Sequence, residues 1–249
     1  MHDASLIRAI TLDLDDTLWP IWPTIEKAEL ALQHWLRPRA PAAAGLLADA
    51  EARMALRRQV TEDWPDRIHD LGALRREMIR RALERSGEDA SLAEGGYEVF
   101  IAARHEVVLY EDARQALDFL SARWPLVALT NGNADVHRIG LGGYFRASVS
   151  AGTSGFAKPD ARIFRAAAEA LGLEPGQVLH VGDDSALDVV GALAAGMQAV
   201  WINRSGAPWP HEGPAPVEVE GLAQLCRLLD IPGAEPRGGS AGGQSSAAA

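Results

Sequence analysis

The sequence predicts an α/β fold in which a Rossmann-like parallel sheet is interrupted by a large helical insertion. After residue 108, short apolar runs alternate with helical patterns, which is typical of a parallel sheet with helices on both faces. Another short apolar run covers residues 6–13, and residues 24–107 are almost wholly helical in pattern. The first strand therefore belongs with the later strands, and the helical segment forms a second domain.

Five apolar runs are predicted strands, because uninterrupted apolar sequence is typical of strands that are buried on both faces of a parallel sheet. They cover residues 6–13, 125–130, 147–152, 177–183 and 198–203. Pro159 suits the first turn of an intervening helix, and Gly172 and Gly196 suit helix ends.

The insertion contains the segment LGALRREMIRRALERSG, which predicts an amphipathic helix that ends near Gly87. Its apolar face carries Leu71, Leu74, Met78, Ala82 and Leu83. The predicted domains are a discontinuous core of residues 1–19 and 108–231 and a helical domain of residues 20–107. Residues 232–249 are rich in Gly, Ser and Ala and are expected to be a disordered tail.

Composition excludes several classes of function. The chain has 249 residues, a net charge of -10 and a pI near 5.2, so binding to nucleic acid is not expected. No apolar run reaches the length of a membrane span, and the first ten residues lack the pattern of a signal peptide. With a single cysteine, Cys226, the chain fits a reducing cytoplasm, where it is expected as a monomer or homodimer.

Polar residues able to do chemistry follow several of the predicted strands. The stretch ITLDLDDTL places Asp13, Asp15 and Asp16 after the first strand, and Thr130 ends the second. Because ligands bind beyond the carboxyl ends of parallel strands, these residues are expected to converge with Lys158 and Asp183 on one crevice. Clustered carboxylates beside an ammonium and Gly-rich backbone suit a divalent cation and a phosphate, because the cation offsets the repulsion between the carboxylates.

Four segments in order resemble the motifs of the haloacid dehalogenase superfamily. They are DLDDT, LVALTNGN, GFAKPD and VGDDSALD. The resemblance covers residues 6 to about 230, and residues 20–107 match the family's helical cap. The core segments around residues 123–145 and 178–202 are similar to a bacterial branch that dephosphorylates flavin mononucleotide and the phosphorylated ribitylaminouracil precursor of riboflavin.

The resemblance implies catalytic roles for the first motif. Asp13 corresponds to the nucleophile that forms an aspartyl-phosphate, and Asp15 to the general acid/base. The family's carbon–halogen hydrolases lack an aspartate at the second position, since a halide leaving group needs no proton, so Asp15 argues against dehalogenation. Thr17 is expected to buttress the turn by hydrogen bonding. Asp16 is given no role.

The resemblance also implies how phosphate and metal are held. Thr130 would donate its hydroxyl to phosphate, aided by the backbone N–H groups of Asn131 and Gly132, while Lys158 would neutralise charge. Mg²⁺ would be bound by Asp13, Asp183 and the backbone carbonyl of Asp15. Whether Asp184 or Asp188 also contacts the metal, or caps the following helix, is open at this stage.

The resemblance thus implies a Mg²⁺-dependent phosphomonoester hydrolase, expected to act on a flavin nucleotide or riboflavin-pathway phosphate. Alternatives are a phosphatase for another small metabolite, such as a sugar phosphate, phosphoglycolate or a nucleotide. A phosphomutase, a dehalogenase or a non-catalytic binding module are weaker alternatives. Five residues in or near the cap are candidates for contact with a substrate ring, with ordinary packing as the competing interpretation: Trp19, Trp22, Trp64, His69 and Arg75.

Overall fold

The computed structural model of the protein describes residues 4–230, and it contains a six-stranded parallel sheet. The strand order is β3-β2-β1-β4-β5-β6, so the first strand lies in the middle and the chain crosses over on both sides of it. The strands are β1 (Ala9–Leu12), β2 (Leu126–Thr130), β3 (Phe145–Ser150), β4 (Val178–Gly182), β5 (Gln198–Ile202) and β6 (Val217–Val219).

Register brings the ends of the central strands to one edge of the sheet. Leu12 at the end of β1 lies opposite Ala128 of β2 and Val181 of β4. The N–H of Asp13 still donates to the carbonyl of Val181, at 2.9 Å, so the first residue beyond β1 is held to the neighbouring strand. The residues that follow these three strands are therefore neighbours in space.

Helices cover both faces of this sheet. One apolar cluster joins α6 (Ala113–Ser121) and α10 (Leu222–Leu229) to the sheet, and another joins α8 (Ala161–Glu169) and α9 (Gly191–Ala194). A short helix, α7 (Ala151–Ser154), follows β3, and a six-residue π-helical turn, Ser185–Val190, leads into α9. The predicted α/β fold with a parallel sheet is confirmed.

Between β1 and β2 in the chain, the five helices that precede α6 pack around an apolar core of their own. They are α1 (Ile21–Leu36), α2 (Pro41–Ala48), α3 (Ala50–Asp63), α4 (Leu71–Arg85) and α5 (Leu92–Arg104), and residues 21–104 are called the helical insertion below. On α4 the expected apolar face is buried at Leu74, Met78, Ala82 and Leu83, and Gly87 takes the positive φ of a helix end.

Two predicted details of the sheet and one of a helix differ from the structure. The strand β3 begins earlier than predicted and lies at the edge of the sheet, where its side chains alternate between half-buried and exposed. The strand β6 was not predicted, because three residues are too short for a recognisable pattern. Pro159 precedes α8 and does not lie in its first turn, because Asp160 caps the helix that starts at Ala161.

Two further predictions concern the C-terminal residues and membrane-spanning helices. The expected tail, residues 232–249, lies outside the described residues. Among residues 4–230, no helix is both long and apolar enough to cross a membrane.

Candidate active site

A buried carboxylate and a buried ammonium meet at the end of β1. Asp13 is 5% exposed and Lys158 is 4% exposed. The Nζ of Lys158 lies 2.5 Å from Asp13 and 2.6 Å from Asp188, and it donates to the carbonyl of Leu129 at 3.1 Å. The lysine thus uses its three donors within the protein and stands between two carboxylates.

The charges at this point are strongly coupled. Burial raises the pKa of Asp13, and Asp188 and Asp183 raise it further, while Lys158 opposes them. Burial alone would lower the pKa of Lys158, but the two carboxylates outweigh burial and raise it above its ordinary value. The site therefore holds a permanent cation next to a carboxylate whose ionised form needs additional positive charge.

Three carboxylates, those of Asp13, Asp183 and Asp188, could hold a metal ion. One oxygen from each lies within 4.8 Å of the others. Burial raises the pKa of Asp183 to about 7, helped by Asp188 and Asp16. Three carboxylates that repel one another and offer only oxygen ligands fit a hard divalent cation such as Mg²⁺. A bound cation would favour their ionised forms and so lower the raised pKa values.

Asp188 is fixed by several donors. It accepts from the Nε2 of His180 at 3.1 Å and from the backbone N–H of Asp184 at 3.0 Å, besides Lys158. Burial lowers the pKa of His180, so the ring is neutral, and its Nδ1 accepts from the hydroxyl of Thr11 at 2.8 Å. Although burial acts against ionisation of Asp188, Lys158 and His180 outweigh it and hold its pKa below the usual range.

The contacts of Asp184 and Asp188 show which of the two lies in the carboxylate cluster and which caps the following helical turn. The side chain of Asp184 accepts from the backbone N–H groups of Ala186 and Leu187, so it caps the helical turn that follows. Asp188 instead joins the carboxylate cluster. Thr17, expected to buttress the turn, donates its hydroxyl to Asp183 at 3.2 Å.

Asp15 lies beside this cluster and is held by two residues that the sequence did not point to in this role. The Nη2 of Arg104 lies 2.6 and 2.7 Å from the two carboxylate oxygens, and the indole N–H of Trp19 donates at 2.8 Å. Arg104 is the last residue of α5 and is 89 positions away from Asp15 in the chain. It is one of 22 arginines, and no local pattern distinguishes it from the others.

The predicted phosphate-binding residues form a turn after β2. The hydroxyl oxygen of Thr130 accepts from the N–H of Gly132 at 2.9 Å. The side chain of Asn131 donates to the carbonyl of Lys158 at 2.9 Å and accepts from its N–H at 2.7 Å. The amide of Asn131 therefore positions the lysine, and a phosphate contact from this residue is left to its backbone N–H.

A cleft of about 450 Å³ opens beside this turn, between the helical insertion and the sheet domain. From the insertion it is lined by Asp70, Leu71, Gly72, Arg76 and Tyr97, and from the sheet domain by Gly132, Asn133, Ala134, Asp135, Ser148, Ser150, Gly152 and Thr153. The guanidinium of Arg76 stacks 3.7 Å from the centre of the Tyr97 ring. The volume is within the range of pockets for small metabolites, about 300–1,000 Å³.

None of the five candidate ring contacts lines this cleft. Trp19 is fully buried beneath Asp15, and Trp22 points outward at 72% exposure. Arg75 is not part of the cleft lining and pairs with Glu29 at 2.7 Å. Trp19 and Arg75 are thus engaged within the protein, while the lining side chains Arg76 and Tyr97 were missed in the sequence.

Comparison with known proteins identifies the family. Residues 7–196 match the haloacid dehalogenase-like hydrolase family. The chain belongs to this family. The resemblance drawn from the four motifs is confirmed.

Two curated relatives and one solved structure are informative. The chain is 35% identical to 5-amino-6-(5-phospho-D-ribitylamino)uracil phosphatase YigB of Escherichia coli, covering 90% of this chain and 96% of that protein. It is 34% identical to phosphoserine phosphatase of Thermus thermophilus over 62% of this chain and 64% of that one. A solved structure named 2-haloacid dehalogenase, from Pseudomonas syringae pv. Tomato DC3000, matches with a TM-score of 0.84 and 36% identity over 90% of this chain and 98% of that one.

Proposed function

We propose that this protein is a Mg²⁺-dependent phosphatase that hydrolyses a small phosphomonoester through an aspartyl-phosphate on Asp13. The observation that carries the proposal is the contact between Asp13 and Lys158, at 2.5 Å, within a cluster of three carboxylates. A nucleophilic carboxylate beside a buried ammonium is suited to attack on a phosphorus that carries negatively charged oxygens. The phosphatase class itself agrees with the curated relatives described above.

In the first step an oxygen of Asp13 attacks phosphorus, and a P–O bond forms while the bond to the leaving alkoxide breaks. The electron pair of the broken bond stays on the leaving oxygen, which takes a proton from Asp15. Lys158 offsets charge on Asp13 and the phosphoryl oxygens, and the hydroxyl of Thr130 donates to one of those oxygens.

In the second step Asp15 removes a proton from water, and the water oxygen attacks phosphorus. The bond between phosphorus and Asp13 breaks, which returns the carboxylate and releases inorganic phosphate. Asp15 is then protonated again, so the cycle is balanced. Both steps need the carboxyl group of Asp15 close to the turn that contains Gly132. The two are close, since a Cβ added to Gly132 would lie 2.6 Å from the Oδ2 of Asp15.

Asp13, Asp183 and the backbone carbonyl of Asp15 would hold Mg²⁺, with Asp188 close enough to contribute. When bound, the ion supplies positive charge that keeps the carboxylates ionised and stabilises charge on the phosphoryl group. The raised pKa values of Asp13 and Asp183 support this part of the proposal, because both carboxylates are costly to ionise without a cation.

A dehalogenase is the second candidate, and the solved structure with that name is the observation in its favour. Displacement of a halide needs a nucleophile but no proton donor, since halides are weakly basic. Asp15 here has a defined position with three hydrogen bonds, from Arg104 and Trp19. A carboxyl two positions beyond the nucleophile can carry a proton to a leaving group, which displacement of a halide does not need, so the presence of Asp15 favours the phosphatase.

For the substrate, we infer a phosphate ester that carries a polyol chain and a planar ring, as in flavin mononucleotide or phosphorylated ribitylaminouracil. The cleft between the insertion and the sheet domain leads away from the phosphate turn, and the insertion would act as a cap over it. Its walls carry the hydroxyl of Ser148 and those of Ser150 and Thr153, which also bond to each other at the start of α7, and these suit a polyol. The planar groups of Arg76 and Tyr97 suit a ring. The name of the curated relative at 35% identity supports the same substrate class.

The test is a panel of substrates measured as kcat/KM at fixed Mg²⁺ and ionic strength. We expect the two ribityl compounds to exceed glucose 6-phosphate and phosphoglycolate, and 2-chloropropionate to release no chloride. If a simple phosphate exceeds both ribityl compounds by about tenfold, roughly 1.4 kcal/mol, the substrate proposal fails and the phosphatase stands. Halide release without phosphate release would overturn the phosphatase itself.

A further inference from the structure

Arg104 carries a buried charge whose surroundings are unusual. Its side chain is 1% exposed, and within residues 4–230 it forms an ion pair with Asp15 alone. The Nη2 atom makes both contacts with the carboxylate. The Nε and Nη1 atoms are also buried but have no hydrogen-bond partner within this part of the chain.

Such a side chain is a poor device for stability alone. A buried donor without a partner costs about 1–3 kcal/mol, and a buried ion pair often gains little over well-packed apolar residues. A methionine would fill much of the same space without this cost. The arrangement is therefore better explained by what the guanidinium does to the carboxylate of Asp15.

Arg104 lies next to residues that the proposed reaction uses. A Cβ on Gly132 would lie 3.5 Å from the Nη2 of Arg104, 3.2 Å from the hydroxyl of Thr130 and 2.6 Å from Asp15. The next residue, His105, accepts the backbone N–H of Asp135 at 2.9 Å. The end of α5 thus contacts both the loop after β1 and the loop after β2.

We propose that Arg104 is a positioning residue for the reaction: it holds the carboxyl group of Asp15 in line with the leaving oxygen. The inference rests on the proposed function, since it assigns a task to the proton transfer by Asp15. Trp19 restrains one oxygen of Asp15, and Arg104 restrains both, so the arginine determines the rotation of the carboxyl group. Loss of Arg104 leaves Asp15 present but free to turn away from the substrate.

Dependence on the leaving group separates this role from a structural one. The parameter kcat/KM reports steps up to transfer of the phosphoryl group to Asp13, so later hydrolysis of the aspartyl-phosphate does not enter it. Flavin mononucleotide has an alkoxide leaving group that needs a proton, whereas 2,4-dinitrophenyl phosphate has one that does not. Arg104→Met is expected to lower kcat/KM about 100-fold for the first compound and less than about threefold for the second.

Two reference variants complete the design. Asp15→Asn is expected to show the same selective loss, and the double variant to lose little more than Asp15→Asn, because both changes remove one proton transfer. Arg123→Met is the matched control, since Arg123 lies just after the end of α6, stacked on Phe119 and away from the site. It is expected to leave both substrates unchanged.

Equal losses for both substrates in Arg104→Met would overturn the proposal, because a disturbed fold or weaker phosphate binding affects both alike. Unchanged kinetics would overturn it as well. If Arg104→Met does not fold, Arg104→Lys takes its place, with the same selective loss expected in smaller size, because the shorter lysine keeps the charge while its ammonium stops short of the position of Nη2. Failure of the wild-type protein to hydrolyse either compound would instead overturn the proposed function.

Discussion

At the scale of single residues, Lys158 is the buried cation that compensates two carboxylates of the site. Its ammonium lies within 2.6 Å of both Asp13 and Asp188 and is almost completely buried. Removal of one partner from a buried ion pair leaves an uncompensated charge and typically costs about 3–5 kcal/mol. Lys158→Met is therefore expected to lower the melting temperature by several degrees and to abolish phosphatase activity.

A second substitution separates these two effects. Asp188→Asn in the Lys158→Met background removes one of the two stranded carboxylates, so we expect part of the lost melting temperature to return while activity stays absent. Differential scanning fluorimetry and phosphate release measure the two quantities. An unchanged melting temperature in Lys158→Met would contradict the electrostatic account of the site.

Site residues at strand ends could be predicted from the strand pattern, whereas Lys158, which lies between two helices, was found through its motif. Asp13, Thr130 and Asp183 follow apolar runs, and parallel register brings such positions together, so their proximity was predictable. Arg104 and His180 could not be found in this way. Arg104 reaches Asp15 across 89 positions from a helix end, and His180 lies inside a strand whose pattern indicates only burial.

At the scale of elements, two helix glycines have opposite surroundings. A Cβ on Gly191 at the start of α9 would lie 2.9 Å from the Cα of Pro159 and 2.9 Å from the ring of Phe164. A Cβ on Gly45 in α2 would meet nothing within 4 Å. The first glycine allows α9 to approach the segment that carries Lys158, while the second is required by no contact.

Alanine at these two positions is expected to change stability in opposite directions. Gly45→Ala should raise the free energy of unfolding by about 0.5–1 kcal/mol, because glycine weakens a helix interior by that amount. Gly191→Ala should lower it by about 1–3 kcal/mol, since backbone cannot move aside as a flexible side chain can. Urea unfolding measures both, and a gain in stability for Gly191→Ala would contradict the packing described for α8 and α9.

Helices and strands could be predicted from sequence where they are long and have one well-defined apolar face. The helix α4 follows its apolar stripe closely, with Leu74, Met78, Ala82 and Leu83 buried. The edge strand β3 and the three-residue β6 have weak patterns, because edge positions are half exposed. Which face of the insertion meets the sheet domain depends on contacts distant in sequence, so Arg76 and Tyr97 were not predictable as lining residues.

At the scale of the whole molecule, metal binding couples to pH and to stability. Burial raises the pKa of Asp183 to about 7, above its usual value of 3.8 in an unfolded chain. The folded apo-protein therefore binds this proton more tightly than the unfolded chain. Ionisation of Asp183 thus costs folding stability as pH rises from 3.8 towards 7, and the full cost applies above that range.

A cation that binds only the ionised carboxylate recovers this cost. The apparent affinity for Mg²⁺ is expected to be about tenfold weaker near pH 6 than near pH 8, so the gain in melting temperature at a fixed Mg²⁺ concentration is larger at the higher pH. Asp183→Asn should remove most of the gain at both values, while Asp49→Asn, at the start of α3 in the insertion, should leave it intact. A gain that does not depend on pH would contradict the assignment of Asp183 as a ligand.

The central claim is that Asp13 accepts the phosphoryl group, and trapping of the intermediate tests it most directly. Wild-type protein is mixed with Mg²⁺ and flavin mononucleotide, or with 2,4-dinitrophenyl phosphate, quenched in acid within milliseconds, digested and mapped by mass spectrometry. We expect one phosphoryl group on the peptide that contains Asp13. Asp13→Asn should carry none and should lose roughly four orders of magnitude or more in kcat, because the amide is a poor nucleophile of nearly the same shape. A phosphoryl group on another residue, or substantial turnover by Asp13→Asn, would contradict the account.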